Sequence, residues 1–134
     1  MNLQQWAGVL ASVLLVLVVI FQLLLAAGRP LGAAAWGGVH RVLPTGLRWA
    51  SLASAGVLGL IGWVALARAD LVAPRSGHFG VRVATWVVAG LLLVNTIGNA
   101  ASKSPTERKV MTPTTLLLVF CFVVLALSPV AARG

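Results

Sequence analysis

MNLQQWAGVLASVLLVLVVIFQLLLAAG, residues 1–28, contains no charged side chain. A helix rises about 1.5 Å per residue and the hydrocarbon of a bilayer is about 30 Å thick, so a crossing needs about 20 apolar residues. The run from Trp6 to Ala27 is long enough. Three further charge-free runs follow, residues 49–67, 83–102 and 110–132, and the shortest, Trp49 to Ala67, nearly meets the same length. Almost every basic residue lies between the runs. The pattern predicts an all-α, polytopic membrane protein, a single domain over residues 1–134 with spans at about 5–27, 49–67, 83–101 and 112–131.

Composition points the same way. Sixty per cent of the 134 residues are apolar and 9% are charged, against about 25% charged in a soluble globular chain. No segment of about 10 residues alternates apolar with polar, as a barrel strand would. Helices are then the form that satisfies every backbone group within lipid. The first span does not read as a cleaved secretory signal. Met1 to Gln5 brings no Lys or Arg, and the apolar stretch exceeds the usual ~7–15 residue core of such signals. Gly28, suited to a left-handed C′ position, and Pro30 end the helix.

Four crossings put both termini and the second loop on one side, and the first and third loops on the other. Arg29, Arg41, Arg48, Lys103, Arg108 and Lys109 belong to the first and third loops, six cations against the four of the opposite face, Arg68, Arg75, Arg82 and Arg133. The positive-inside rule therefore expects loops one and three in the cytoplasm and the termini outside. Trp6, Trp63 and Trp86 fall near one boundary and Trp49 near the other, the depth amphipathic rings prefer. The net charge of +8 is spread over both faces without an aromatic platform, so anionic lipid headgroups, not nucleic acid, are the expected partner.

Loop one, residues 28–47, holds five glycines and two prolines yet is about half apolar. Loops of about 20 residues in compact proteins are often functional, and this one reads either as a lid or as a connector resting in the headgroups. In loop three, Ser104-Pro105-Thr106-Glu107 is a capping box with proline at the first helical position, predicting a short interfacial helix before helix four. Thr112-Pro113 repeats the signal, so helix four either starts afresh there or continues with a kink. Glu107 is the only acidic residue on this face, and an ion pair with Arg41 or Arg48 is expected to tie the two loops together.

Within the spans, helix three is the most polar. Asn95 and Asn99 stand one turn apart, with Ser102 beyond them, and their amides must face protein or water. Helix two carries Ser51, Ala55 and Gly59, a small-xxx-small stripe continued by Gly62, which permits close helix contact within the bundle or between copies. The candidate polar site comprises His40, Arg41, Arg48, Asn95, Asn99, Ser102, Glu107 and Arg108. Cys121, the single cysteine, is expected to pack in a span. His40 and His78 lie in loops on opposite faces and cannot share a metal. No HExxH, paired carboxylates or nucleophile elbow is present, so no enzyme, metal or cofactor is expected.

The run Gly28-x-Pro30-x-Gly32-x-x-Ala35-x-Gly37-Gly38, then Val42-Leu43-Pro44-x-x-Leu47-Arg48, and later Asn95-x-x-x-Asn99-x-x-Ser102-x-Ser104-x-x-Glu107-Arg108 with Thr112-Pro113, resembles a family of small uncharacterised bacterial four-helix membrane proteins. The resemblance covers most of the chain and implies a bacterial inner-membrane setting; it implies no activity. Two functions follow from the residues. An accessory or scaffold protein would bind another membrane protein or a second copy of itself through the small-residue stripe and loops one and three. A small transporter or channel would carry an anion or small polar solute past Asn95 and Asn99. Loops one and three packed together over those asparagines would favour a bound or transported molecule; loops lying apart would favour the scaffold.

Overall fold

The computed structural model describes residues 1–72 and 77–129. Among these residues there are four α-helices and no strand: α1 Leu3–Ala26, α2 Thr45–Arg68, α3 Phe79–Ala100 and α4 Pro105–Leu127. All four are long and apolar enough to span a membrane, and the chain is a multi-pass membrane protein. Arg75, Arg133 and the last two residues expected in the fourth span, Val130 and Ala131, lie outside the described residues.

The helices begin earlier than the expected spans, at residues 3, 45, 79 and 105. Asn2 caps α1, accepting from the Gln5 amide at 2.8 Å while Gln5 Oε1 accepts from the Asn2 amide at 3.2 Å. α2 begins at Thr45, directly after extended Pro44, and includes Arg48; α3 begins at Phe79 and includes Arg82. A charged side chain near a helix end keeps its head in the interface while its backbone stays helical, so charge marks the edge of the lipid and not the edge of the helix.

The short helix expected before helix four is continuous with it. α4 runs from Pro105 through Pro113 to Leu127 as one helix. Proline removes one backbone donor and crowds the preceding turn. Hydroxyls line the turn around it: Thr114 Oγ1 donates to the Val110 carbonyl at 2.7 Å and Thr115 Oγ1 to the Met111 carbonyl at 2.9 Å. Such side-chain bonds are a usual way for membrane helices to accommodate proline.

The bundle is two hairpins. α1 packs chiefly on α2 and α3 on α4, the hairpins meet mainly through α1 and α4, and α2 touches α3 least of these pairs. The main core fills the half nearer the termini, where Ala11, Leu15, Ala65, Leu118, Phe122 and Leu125 are at most 2% exposed. Cys121 belongs to this core. A second, smaller core of Leu25, Ala35 and Leu43, with Phe21 and Leu47 against it, seats loop one on α1 and α2.

Candidate functional site

Loop one folds back on itself through two short 3-10 turns, Gly32–Ala34 and Trp36–Gly38. The Gly32 amide donates to the Arg41 carbonyl at 2.8 Å, and a Cβ at Gly32 would stand 1.8 Å from the His40 carbonyl oxygen, which excludes any side chain there. Trp36, Gly37 and Gly38 all have positive φ, at 51°, 79° and 72°. Two glycines tolerate this, whereas Trp36 is strained by about 1–2 kcal/mol. Its indole Nε1 donates to Ser51 Oγ at 3.0 Å, which holds the ring against α2.

The loop is also tied to α4. The Gly37 amide donates to Glu107 Oε2 at 2.9 Å, and Ser104 Oγ donates to the Ala33 carbonyl. A Cβ at Gly38 would meet Ser104 Cβ at 2.5 Å, so the backbones are as close as glycine allows. Loops one and three therefore pack together.

The bond that joins them is not the expected ion pair. Glu107 is 7% exposed and takes a backbone amide in place of a guanidinium. Arg48 Nε instead donates to the Ala26 carbonyl at 2.8 Å, closing the C-terminus of α1, and Arg41 and His40 are exposed. The left-handed turn presents its Gly37 amide to the carboxylate at short range, a donor geometry a flexible arginine matches only by giving up rotamer freedom. The capping box is likewise half formed. Ser104 Oγ accepts from the Glu107 amide at 3.3 Å, but the Ser104 amide donates to Ser102 Oγ at 3.1 Å, leaving the Glu107 carboxylate for loop one. Arg108 Nη1 donates to the Ser102 carbonyl at 2.8 Å beyond the end of α3.

Beneath this roof lies a cavity of about 660 Å³, within the ~300–1,000 Å³ typical of small-molecule sites. Ala34, Ala35 and Trp36 cover it; Gln22, Ser54, Asn95, Asn99, Glu107 and Thr115 are its polar groups. Towards the middle of the bundle the lining turns apolar, with Val18, Leu58, Ile61, Leu91, Leu92 and Leu118. Val57 on α2 and Leu91 on α3 are 57% and 60% exposed although both line it, so the cavity opens sideways where α2 and α3 diverge. Asn99 Nδ2 reaches Thr115 Oγ1 at 3.4 Å, and Asn95 is exposed on the rim. Gln22 Oε1 is buried without a partner, at a cost of about 1–3 kcal/mol to the empty protein.

Of the eight residues predicted to form a polar site, Asn95, Asn99 and Glu107 share this cavity; His40, Arg41, Arg48, Ser102 and Arg108 lie outside its lining. No cation lines it, so the basic side chains of the loops stay outside the space the loops flank. In the helix-two stripe, Ser51 and Ala55 are buried, Gly62 has Leu15 as its nearest neighbour, and Gly59 has open space around it. The periodicity of α2 splits the stripe, because its fourth-residue spacing drifts around the helix.

Gln22, Trp36, Ser54 and Thr115 were not singled out from sequence. Gln22 had a signal: apart from Ser12 it is the only polar residue after Gln5 in a 28-residue charge-free run. Arg68 had none, since an arginine ending a span ordinarily reaches the headgroups. Here it is 1% exposed, donates from Nη2 to the Ser128 carbonyl at 2.6 Å, and receives Gln4 Nε2 at its own carbonyl, joining α1, α2 and the end of α4.

Among the described residues no three His, Cys, Asp or Glu side chains gather to hold a metal. No protein-family model matches the chain, and no curated protein or solved structure shows significant similarity to it, which leaves the resemblance resting on its motifs.

Proposed function

We propose that this chain binds a small amphipathic molecule inside the membrane, taken from the bilayer through the opening between α2 and α3. The observation that carries the reading is the cavity itself: polar groups lie under the loop-one roof and apolar ones towards the bilayer centre. A molecule with a polar head and an apolar tail matches that gradient. The tail needs no aqueous path, because the rim side chains Val57 and Leu91 are apolar and exposed on the outside of the spans. The setting of this reading is the bacterial plasma membrane, with the roof on the cytoplasmic side by the distribution of basic residues.

The test is binding of a fluorescent single-chain amphiphile to the chain in lipid nanodiscs. Saturation near one probe per chain is expected, and Val57→Trp, which fills the rim without touching the main core, should abolish it. Partitioning that never saturates, or saturation that Val57→Trp leaves intact, contradicts the reading.

A scaffold reading is favoured by a different observation. Gly56 and Gly59 have nothing within 4 Å and leave a flat patch on α2, where a neighbouring helix approaches closely. A dimer in detergent that Gly59→Leu dissociates would support it; a strict monomer would remove it.

A further inference from the structure

We infer that the molecule held in this cavity carries a protonated amine as its head, an inference that rests on reading the cavity as a binding site. Glu107 is the one charged side chain in the lining. Its Oε2 is committed to the Gly37 amide, while Oε1 takes no hydrogen bond among the described residues. Ser104 Oγ binds the Glu107 main-chain amide, which fixes the residue at the start of α4, where the helix dipole favours a negative group. Glu107 is thus held by one contact at its backbone and one at its carboxylate, and one carboxylate oxygen remains to offer.

Two further acceptors lie around it. Gln22 lines the cavity, its Oε1 is buried and unpartnered, and the last torsion of its side chain, which orients that oxygen, is broad and soft. Thr115 Oγ1 donates to backbone carbonyls and accepts from Asn99 Nδ2 at 3.4 Å, which leaves it one further lone pair to accept with. An ammonium group supplies up to three donors and a positive charge to such a set. A phosphate or carboxylate head would bring a second negative charge beside Glu107 with no cation in the lining to meet it. The six basic residues of the two loops attract anions to the headgroup surface, but Arg48 is turned to the Ala26 carbonyl, Arg108 to the Ser102 carbonyl, and Arg41 to solvent. Surface charge and cavity charge are therefore opposite in sign, and a lipophilic amine arriving sideways from the bilayer avoids the basic face.

The experiment displaces a neutral fluorescent amphiphile from the chain in phosphatidylcholine nanodiscs with three probes of equal chain length, an alkylammonium, an alkyl alcohol and an alkyl sulfate, each corrected for partition into empty discs. The ammonium is expected to bind at least 10-fold more tightly than the alcohol, and the sulfate most weakly. Glu107→Gln, which retains an oxygen for the Gly37 amide, should bring ammonium and alcohol affinities within about twofold of each other. Gln22→Leu, which leaves the roof untouched, should weaken the ammonium about threefold or more with less effect on the alcohol. Equal affinities, or a preference for the sulfate, overturn the amine assignment while leaving a Val57→Trp-sensitive site standing. Failure of every probe to displace the reporter overturns both.

Discussion

The two halves of the bundle use the same four helices and differ in what those helices offer each other. Near the termini, small residues on one helix meet large ones on the next: Ala7 and Ala11 of α1 and Ala65 of α2 share a core with Leu118, Phe122 and Leu125 of α4. Near loop one, α2 presents Ala53 and Ser54 and α3 presents Asn95, Gly98 and Asn99, and nothing large fills the space between. A filled interior arises where side-chain volumes complement one another; a hollow one arises where small and polar positions coincide. In lipid the hollow half gains no hydrophobic drive to collapse, because tails are as apolar as the side chains that would fill it. Loop one then holds the helices apart by spanning them, bonded to α2 through Ser51 and to α4 through Glu107 and Ser104.

Mutations separate the halves. Phe122→Ala, at a side chain with no exposure, is expected to cost about 3–5 kcal/mol in reversible detergent unfolding. Leu91→Ala at the cavity rim should cost under about 0.5 kcal/mol. Similar costs at both positions would erase the distinction between a packed and a hollow half. Gly38→Ala combines a positive φ with a Cβ set 2.5 Å from Ser104 Cβ, so about 3 kcal/mol is expected together with loop-one cleavage by added protease. If the loop stays protected, the roof does not depend on this close approach. Glu107→Ala leaves the Gly37 amide unpaired and should cost about 1–3 kcal/mol, whereas Glu107→Gln should cost less than half as much in the same measurement. The smallest effect has the opposite sign: Gln22→Leu removes a buried unpaired oxygen and should stabilise the empty protein by about 1 kcal/mol, seen as a raised unfolding midpoint.

The membrane architecture was legible because lipid imposes a length and a composition that no soluble chain needs. Helix ends were less so, since Arg48 and Arg82 interrupt the charge-free runs without interrupting the helices. Asn95 and Asn99 were visible as polar residues in apolar surroundings, and Glu107 as the lone acid of its face. The partner of Glu107 was not, because a backbone amide in a left-handed turn carries no residue name. Nor was the roof role of Trp36, whose φ of 51° runs against its own preference and belongs to the turn it shares with Gly37 and Gly38. Burial of Arg68 depends on the convergence of α1, α2 and α4, a tertiary fact absent from any one segment.

On the proposed reading, one side of this bundle, between α2 and α3 near loop one, admits an amphipathic molecule that the rest of the lipid-facing surface does not. Photolabelling in nanodiscs with a single-chain alkylammonium carrying a diazirine, mapped by mass spectrometry with and without excess unlabelled amine, tests it most directly. Competable labelling of Val57, Leu91, Asn95 and Met111, with Leu17, Leu60 and Phe120 labelled weakly and without competition, is the predicted result. Uniform, non-competable labelling of exposed residues on all four helices would contradict it.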